Sequence, residues 1–152
     1  MRKIFWAAIP ALLLMAAFQA APQSQTAPTS RTLKIKLNYT GSGTVDAKHE
    51  ILVFVFDGPD FQDGELPPIG QDQASAKNAT LTFQDITSSP VYVAAVYDPS
   101  GNYEGDTLPP SDASVGLYEK KPGVPAPIKI APGKTVQVTL SFNDSHKYGS
   151  VQ

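Results

Sequence analysis

The residues with the most chemistry to offer sit in one loop. Asp98-Pro99-Ser100-Gly101-Asn102-Tyr103-Glu104-Gly105-Asp106 places an oxygen-bearing side chain at every second position: Asp98, Ser100, Asn102, Glu104 and Asp106. A hard cation such as Ca²⁺ takes roughly six to eight oxygen ligands at about 2.3–2.6 Å, and alternating acids, amides and hydroxyls can wrap one. An earlier loop adds Asp57, Asp60, Asp63 and Glu65. The Asp98 loop is not an EF-hand, because its sixth position is Tyr103 instead of glycine and its twelfth is Pro109 instead of an acid. Asp, Asn, Ser, Gly and Pro are also the residues that build turns. Two readings therefore stand for these acids, a calcium site and plain turn chemistry.

Each loop also carries an aromatic beside an aliphatic residue, Phe61 with Leu66 and Tyr103 with Leu108. At loop tips such pairs could form a ligand platform for a sugar or a peptide. Folded back, they would instead plug the space beneath their own loops. The only tryptophan is Trp6, near the start of the chain, so the rest has no indole for sugar stacking. Catalysis has little to work with. The two histidines are His49 and His146, and Ser145-His146 lacks the turn that a nucleophile elbow requires. No nucleophile, base and orienting group can be assembled, so the chain is read as not an enzyme. A hydrolase is the third choice.

Both loops are fed by strongly apolar stretches, ILVFVF before Asp57 and VYVAAVY before Asp98. Each unit runs strand, aromatic–Asp pair, second aromatic, acidic glycine segment and Leu-Pro-Pro, so one piece of grammar occurs twice. Strands apolar on both sides belong in the middle of a sheet. Placed side by side, they are expected to push their acidic tips in a common direction and pool the carboxylates. A two-layer body would leave Ile51, Val53, Val55, Tyr92, Ala94 and Val96 on an outer face in need of cover, and the proline-rich stretch 109–127 is long enough to supply it. The alanines Ala94 and Ala95 imply a bulky neighbour, Phe54 or Phe142.

Elsewhere the period is two. Leu33, Ile35, Leu37 and Tyr39 alternate with Lys34, Lys36 and Asn38, and Val136, Val138, Leu140 and Phe142 alternate with polar residues. Shorter strands are expected at 80–83, 115–118 and 128–130. Pro132-Gly133 fits the centre of a type II turn that joins the last two strands. No helical periodicity occurs after residue 21. Six to seven strands spaced by roughly ten residues predict an all-β immunoglobulin- or transthyretin-like sandwich with Greek-key connections.

The chain opens with Arg2 and Lys3, an apolar run over 4–18, then Gln19-Ala20-Ala21. That is the pattern of a signal peptide over 1–21, too short for the roughly 20 residues of a membrane span. It predicts a secreted or periplasmic protein, touching a membrane only through an uncleaved leader. Residues 22–30 read as a flexible linker, 31–144 as the sandwich and 145–152 as a polar tail. Without the leader the 12 basic residues fall to 10 against 14 acidic ones, a formal charge of −4 that disfavours nucleic acid. There is no cysteine, which excludes disulfides and thiolate sites. The triplets at Asn38, Asn78 and Asn143 match the glycosylation sequon, which matters only in a secretory pathway that glycosylates.

TFQDITSSPVYVAAVYDPSGN resembles the recurrent phrase of carboxypeptidase-regulatory-like (transthyretin-like) sandwich domains, and APIKIAPGKTVQVTLSFND is similar to their closing hairpin. Where those domains have Gly-x-Tyr before the strand, this chain has Ser89-Pro90-Val91-Tyr92. The resemblance spans most of 32–144. It implies a non-catalytic module, as in exported bacterial proteins, with an unknown protein or glycan partner at the cell envelope. The alternative is a calcium-stabilised adhesion or carbohydrate-binding domain that uses loops 57–65 and 98–106.

Overall fold

Alternation in the first strand and continuous apolarity in the second dictate two differently clothed sheets, and the computed structural model, which describes residues 30–149, contains both. The leader expected over 1–21, nearly all of the linker, and residues 150–152 lie outside the described residues. The strands are β1 (Arg31–Tyr39), β2 (Ile51–Phe56), β3 (Gly70–Ala74), β4 (Thr80–Ile86), β5 (Tyr92–Tyr97), β6 (Ser114–Leu117), β7 (Glu119–Lys121), β8 (Val124–Pro125) and β9 (Thr135–Phe142). A three-stranded sheet has the order β4-β1-β9 and a four-stranded sheet the order β3-β2-β5-β6, while β7 and β8 make a small ribbon. The chain is a β-sandwich in which the non-sequential strands β1/β4, β1/β9 and β2/β5 are neighbours, so the chain crosses over between pairings. β1 runs antiparallel to β4 and parallel to β9.

The inter-sheet core takes one face of every long strand. Leu33, Ile35, Leu37 and Tyr39 of β1 meet Val138, Leu140 and Phe142 of β9, with Ile51, Val53 and Val55 of β2 and Val93, Ala95 and Tyr97 of β5 opposite. Each fully buried aliphatic side chain contributes about 1.5–3 kcal/mol. Leu52, Phe54, Phe56, Ala94 and Val96 form a second cluster on the far side of the four-stranded sheet. This corrects the expected outer face: Tyr92, Ala94 and Val96 lie there, but Ile51, Val53 and Val55 point inward. The register decides it, since Val53 pairs with Ala95 and Phe54 with Ala94, and cross-strand partners share a face. Ala94 leaves room for the Phe54 ring beside it.

The cover over that second cluster also differs from expectation. Phe61, Leu66 and Tyr103, from the two acidic loops, supply it together with Ala113, Val115 and Leu117. Only the last three belong to the proline-rich stretch. β3 hides in what reads as a loop, because GQDQA has no apolar alternation and only Ala74 of it is buried.

The chain's end is rearranged too. Ile128 exchanges two backbone hydrogen bonds with Val91, at 3.0 and 2.8 Å, and β9 then pairs with β1 instead of folding back on 128–130. There is no closing hairpin. The turn between them is present nonetheless: Lys134 N–H donates to the Ala131 carbonyl at 3.0 Å, and Gly133 takes the left-handed φ of 70° that the third position of a type II turn demands. The expected polar tail is part of the fold as far as Tyr148. Val115 N–H donates to His146 O at 3.0 Å and Tyr148 N–H to Ala113 O at 2.9 Å, so this segment covers the outer edge of β6.

Candidate functional site

Asp98 is where β5 stops, and its carboxylate is the hub of the loop that follows. The residue is buried, with a relative exposure of 2 %. Oδ1 accepts from Ser100 N–H at 2.8 Å. Oδ2 accepts from Ser100 Oγ at 2.6 Å and from the N–H groups of Asn102 and Tyr103, both at 2.9 Å. Pro99 and Gly101 make the reversal possible. Gly101 has φ 68°, and a Cβ there would collide with the Lys48 carbonyl oxygen. Burial works against the charge on Asp98, but the donors from Ser100, Asn102 and Tyr103 outweigh it and hold the carboxyl below the usual range. This carboxylate serves its own loop: a cation could reach it only by displacing those donors.

The expected pooling of acids does not occur. β2 and β5 are antiparallel neighbours, with Ile51 opposite Tyr97 and Phe56 opposite Tyr92. Asp57 therefore leaves one end of the sheet and Asp98 the other. Asp57, Asp60, Asp63 and Glu65 are exposed around one turn, and Ser100, Asn102, Glu104 and Asp106 are exposed around another. Among the described residues, no three His, Asp or Glu side chains gather closely enough to hold one ion. The loops do meet further on. The 98–113 loop runs back over the sheet, Gln71 Nε2 donates to Glu104 O at 3.0 Å, and a Cβ on Gly64 would strike Leu108.

Of the two readings for the aromatics, the structure takes the plug. Phe61 is buried and stacks on Phe56 with ring centroids 4.1 Å apart and planes within 6°. Tyr103 is half-buried, 6.4 Å from Phe54, with its hydroxyl donating to Thr107 O at 3.1 Å. Burial, then the charges of Tyr148 and Asp106, push its phenol up to about 12. Phe61 offers no platform, whereas the edge of Tyr103 is still reachable.

That edge forms one wall of a groove of about 410 Å³ between the Asp98 loop and the 46–50 turn. Leu52 lies at its apolar side, and Lys48, Glu50, Gln73 and Glu104 ring it. The turn is set by Asp46, whose Oδ1 accepts from the N–H groups of Lys48 and His49 at 2.9 and 3.0 Å and lies 3.0 Å from His49 Nδ1. The groove offers amide, ammonium and carboxylate groups suited to a polar, hydroxylated ligand. It contains no nucleophile paired with a base.

A second polar hub, around Asp144, escapes sequence reasoning. Its Oδ1 accepts from Tyr39 Oη and from Ser114 Oγ at 2.8 Å, and Oδ2 from Ser42 N–H and Oγ at 2.7 and 2.9 Å. The Tyr39 hydrogen bond first, and those from Ser42 and Ser114 after it, hold this carboxyl far below the usual range despite some burial. Burial, followed by Asp144, raises the Tyr39 phenol. Lys147 Nζ donates to Ser114 Oγ at 2.8 Å. This resembles a serine–lysine pair, but Ser114 is wholly buried and gives its hydrogen to Asp144, so it is not poised as a nucleophile. Ser145 Oγ and His146 Nδ1 are 3.0 Å apart at the surface, and among the described residues no carboxylate pairs with the ring. The signal for Asp144 in the sequence is weak: one Asp in a polar run after β9.

No family model, curated protein or solved structure matches this chain.

Proposed function

We propose that the chain is an exported, non-catalytic β-sandwich module with a binding or structural role at the cell envelope or outside the cell. One observation carries the non-catalytic part: the carboxylates of Asp98 and Asp144, both held below the usual range, and the buried serine–lysine contact are all occupied in tying loops and strands together. Perturbed groups that face inward to their own backbone hold structure, whereas catalytic ones face a cleft with room for substrate. The leader pattern supports export, and the resemblance to carboxypeptidase-regulatory-like domains supports a non-catalytic module. Export is tested by following the full chain and a variant lacking residues 2–18 in cell fractions; equal amounts beyond the inner membrane would refute it. Catalysis is tested with ester, peptide and glycoside substrates. Turnover that disappears in Ser145→Ala or His146→Ala would overturn the reading.

A carbohydrate-binding domain is the second reading, favoured by the groove walled by Tyr103 and ringed by Gln73, Glu50 and Glu104. Glycan binding weakened at least tenfold by Gln73→Ala with Glu104→Ala supports it, and unchanged binding removes it. Calcium enters only as a stabiliser of the loops. A melting temperature unmoved by millimolar calcium rejects that role.

A further inference from the structure

The outer face of the three-stranded sheet takes no part in either reading, and its composition is unusual for an acidic protein. Register places its side chains in rows across β4, β1 and β9: Thr82, Lys34 and Gln137 in one, Thr80, Lys36 and Thr139 in the next, then Asn38 with Ser141. Asn38 Nδ2 donates to Ser141 Oγ at 3.3 Å, and Thr32 and Thr135 close the other end. Apart from the half-buried Thr32 and Asn38, these side chains are exposed. Across all three strands Asp85 is the one acid. Lys34 and Lys36 have no ion-pair partner among the described residues. The loops over the other sheet hold Asp57, Asp60, Asp63, Glu65, Asp98, Glu104 and Asp106, so the molecule is polarised from one face to the other.

From this polarity and the row pattern we infer that the face of β4-β1-β9 binds one chain of a carboxylated polysaccharide, a polyuronate. Lys34 and Lys36 neutralise successive carboxylates, while the flanking Thr, Gln and Ser rows hydrogen-bond sugar hydroxyls. The two ammonium-bearing residues are spaced by about 6.6 Å along the strand. Two cations amid many neutral donors match a polymer whose every sugar carries one carboxylate and several hydroxyls. Nucleic acid asks for more cations, since affinity there grows with the number of phosphates neutralised. An anionic membrane asks for apolar or aromatic groups to insert, and this face exposes none. A second copy of the chain would bring a complementary acidic side, but three strands of nine, seven and eight residues present only about 400 Å², half of the ~800 Å² per partner of a standard protein interface. That strip suits a single extended polymer. The inference rests on the binding role proposed above and adds a surface, separate from the groove, and a ligand class.

The test is titration of the full chain with polygalacturonate at low and physiological salt, with uncharged dextran as control. Lys34→Ala with Lys36→Ala should weaken binding at least tenfold and flatten its salt dependence, with the melting temperature unchanged. Lys120→Ala with Lys121→Ala, the same charge change on β7, should leave binding within twofold. Thr82→Lys should tighten it. Equal losses from both double variants would reduce the effect to net charge and overturn the assignment. So would undiminished binding in the Lys34/Lys36 variant, no binding at all, or tighter binding to duplex DNA or phosphatidylserine vesicles. Release of new reducing ends from polygalacturonate would instead overturn the non-catalytic reading and leave the surface standing. Losses confined to the Gln73/Glu104 variant would place the polymer in the groove and refute the face.

Discussion

The three-stranded sheet leaves its outer side to water, with threonine, glutamine and lysine in rows, whereas the four-stranded sheet hides its outer side under two loops. The first arrangement needs nothing more than alternation. The second needs a lid, because Leu52, Phe54, Phe56 and Val96 are too much apolar surface to leave wet. The loops that provide the lid must turn sharply and return, so they are built from Asp, Asn, Gly and Pro, with Phe61 and Tyr103 turned inward. Acid-rich loops over an apolar sheet are thus first a packing device. The comparison also shows where ligands have access: the lidded side offers one polar groove, and the bare side offers a flat strip.

The largest expected break in this contrast is Phe54→Ala. It removes the ring from the middle of the lidded cluster and should cost about 3–5 kcal/mol. Its counterpart on the bare sheet, Thr82→Ala, should stay within about 0.5 kcal/mol. Chemical denaturation measures both, and similar losses would mean the two outer sides are not different in kind. Next comes Asp98→Ala, which strands the N–H groups of Ser100, Asn102 and Tyr103 and should cost about 2–3 kcal/mol, with faster proteolysis at 99–106. The exposed look-alike Asp57→Ala should change little. A reversed order would show that the two acidic loops had been assigned the wrong roles.

Acid sharpens the same contrast. Asp98 and Asp144 both have folded-state values below their unfolded ones, so their stabilisation is complete above the ordinary carboxylate range and is lost as pH falls through the folded values. The melting temperature should therefore decline from about pH 4 downward. Asp144→Asn should melt lower at neutral pH and lose less on acidification. A parallel acid limb in the variant would exclude Asp144 as a cause. The smallest effect belongs to Tyr103→Phe, which removes one hydrogen bond to Thr107 and about 0.5–1 kcal/mol at most. Alkaline absorbance titration should lose a phenol that ionises near pH 12. Loss of a phenol that ionises at about pH 10 instead would mean that Tyr103 is more open to solvent than its packing on Phe54 implies.

Much of this was readable from the chain. Leu33, Ile35, Leu37 and Tyr39 announce a half-buried strand because period-two alternation has one structural solution. ILVFVF and VYVAAVY announce central strands because only those are covered twice. Pro132-Gly133 announces its turn through glycine's tolerance of positive φ. β3 could not be read, since Gln71, Asp72 and Gln73 join an edge by backbone bonds that carry no side-chain signature. The inward direction of Asp98 was equally hidden, because the residues that cradle a carboxylate and those that wrap a cation are the same.

Local pattern, then, determined that the apolar and alternating segments of this protein are strands and that the body is all-β, because burial periodicity is a property of consecutive residues. The tertiary structure alone decided that β2 and β5 run in opposite directions, which separates Asp57 from Asp98 and selects the face that carries Phe54. It alone brought Asp144 to Tyr39, Ser42 and Ser114, and laid Lys34 and Lys36 between Thr80 and Thr82 on one side and Gln137 and Thr139 on the other. Pairing direction and register are settled between segments far apart in the chain, by which combination buries the most apolar surface while satisfying the backbone. No single stretch of sequence contains that comparison.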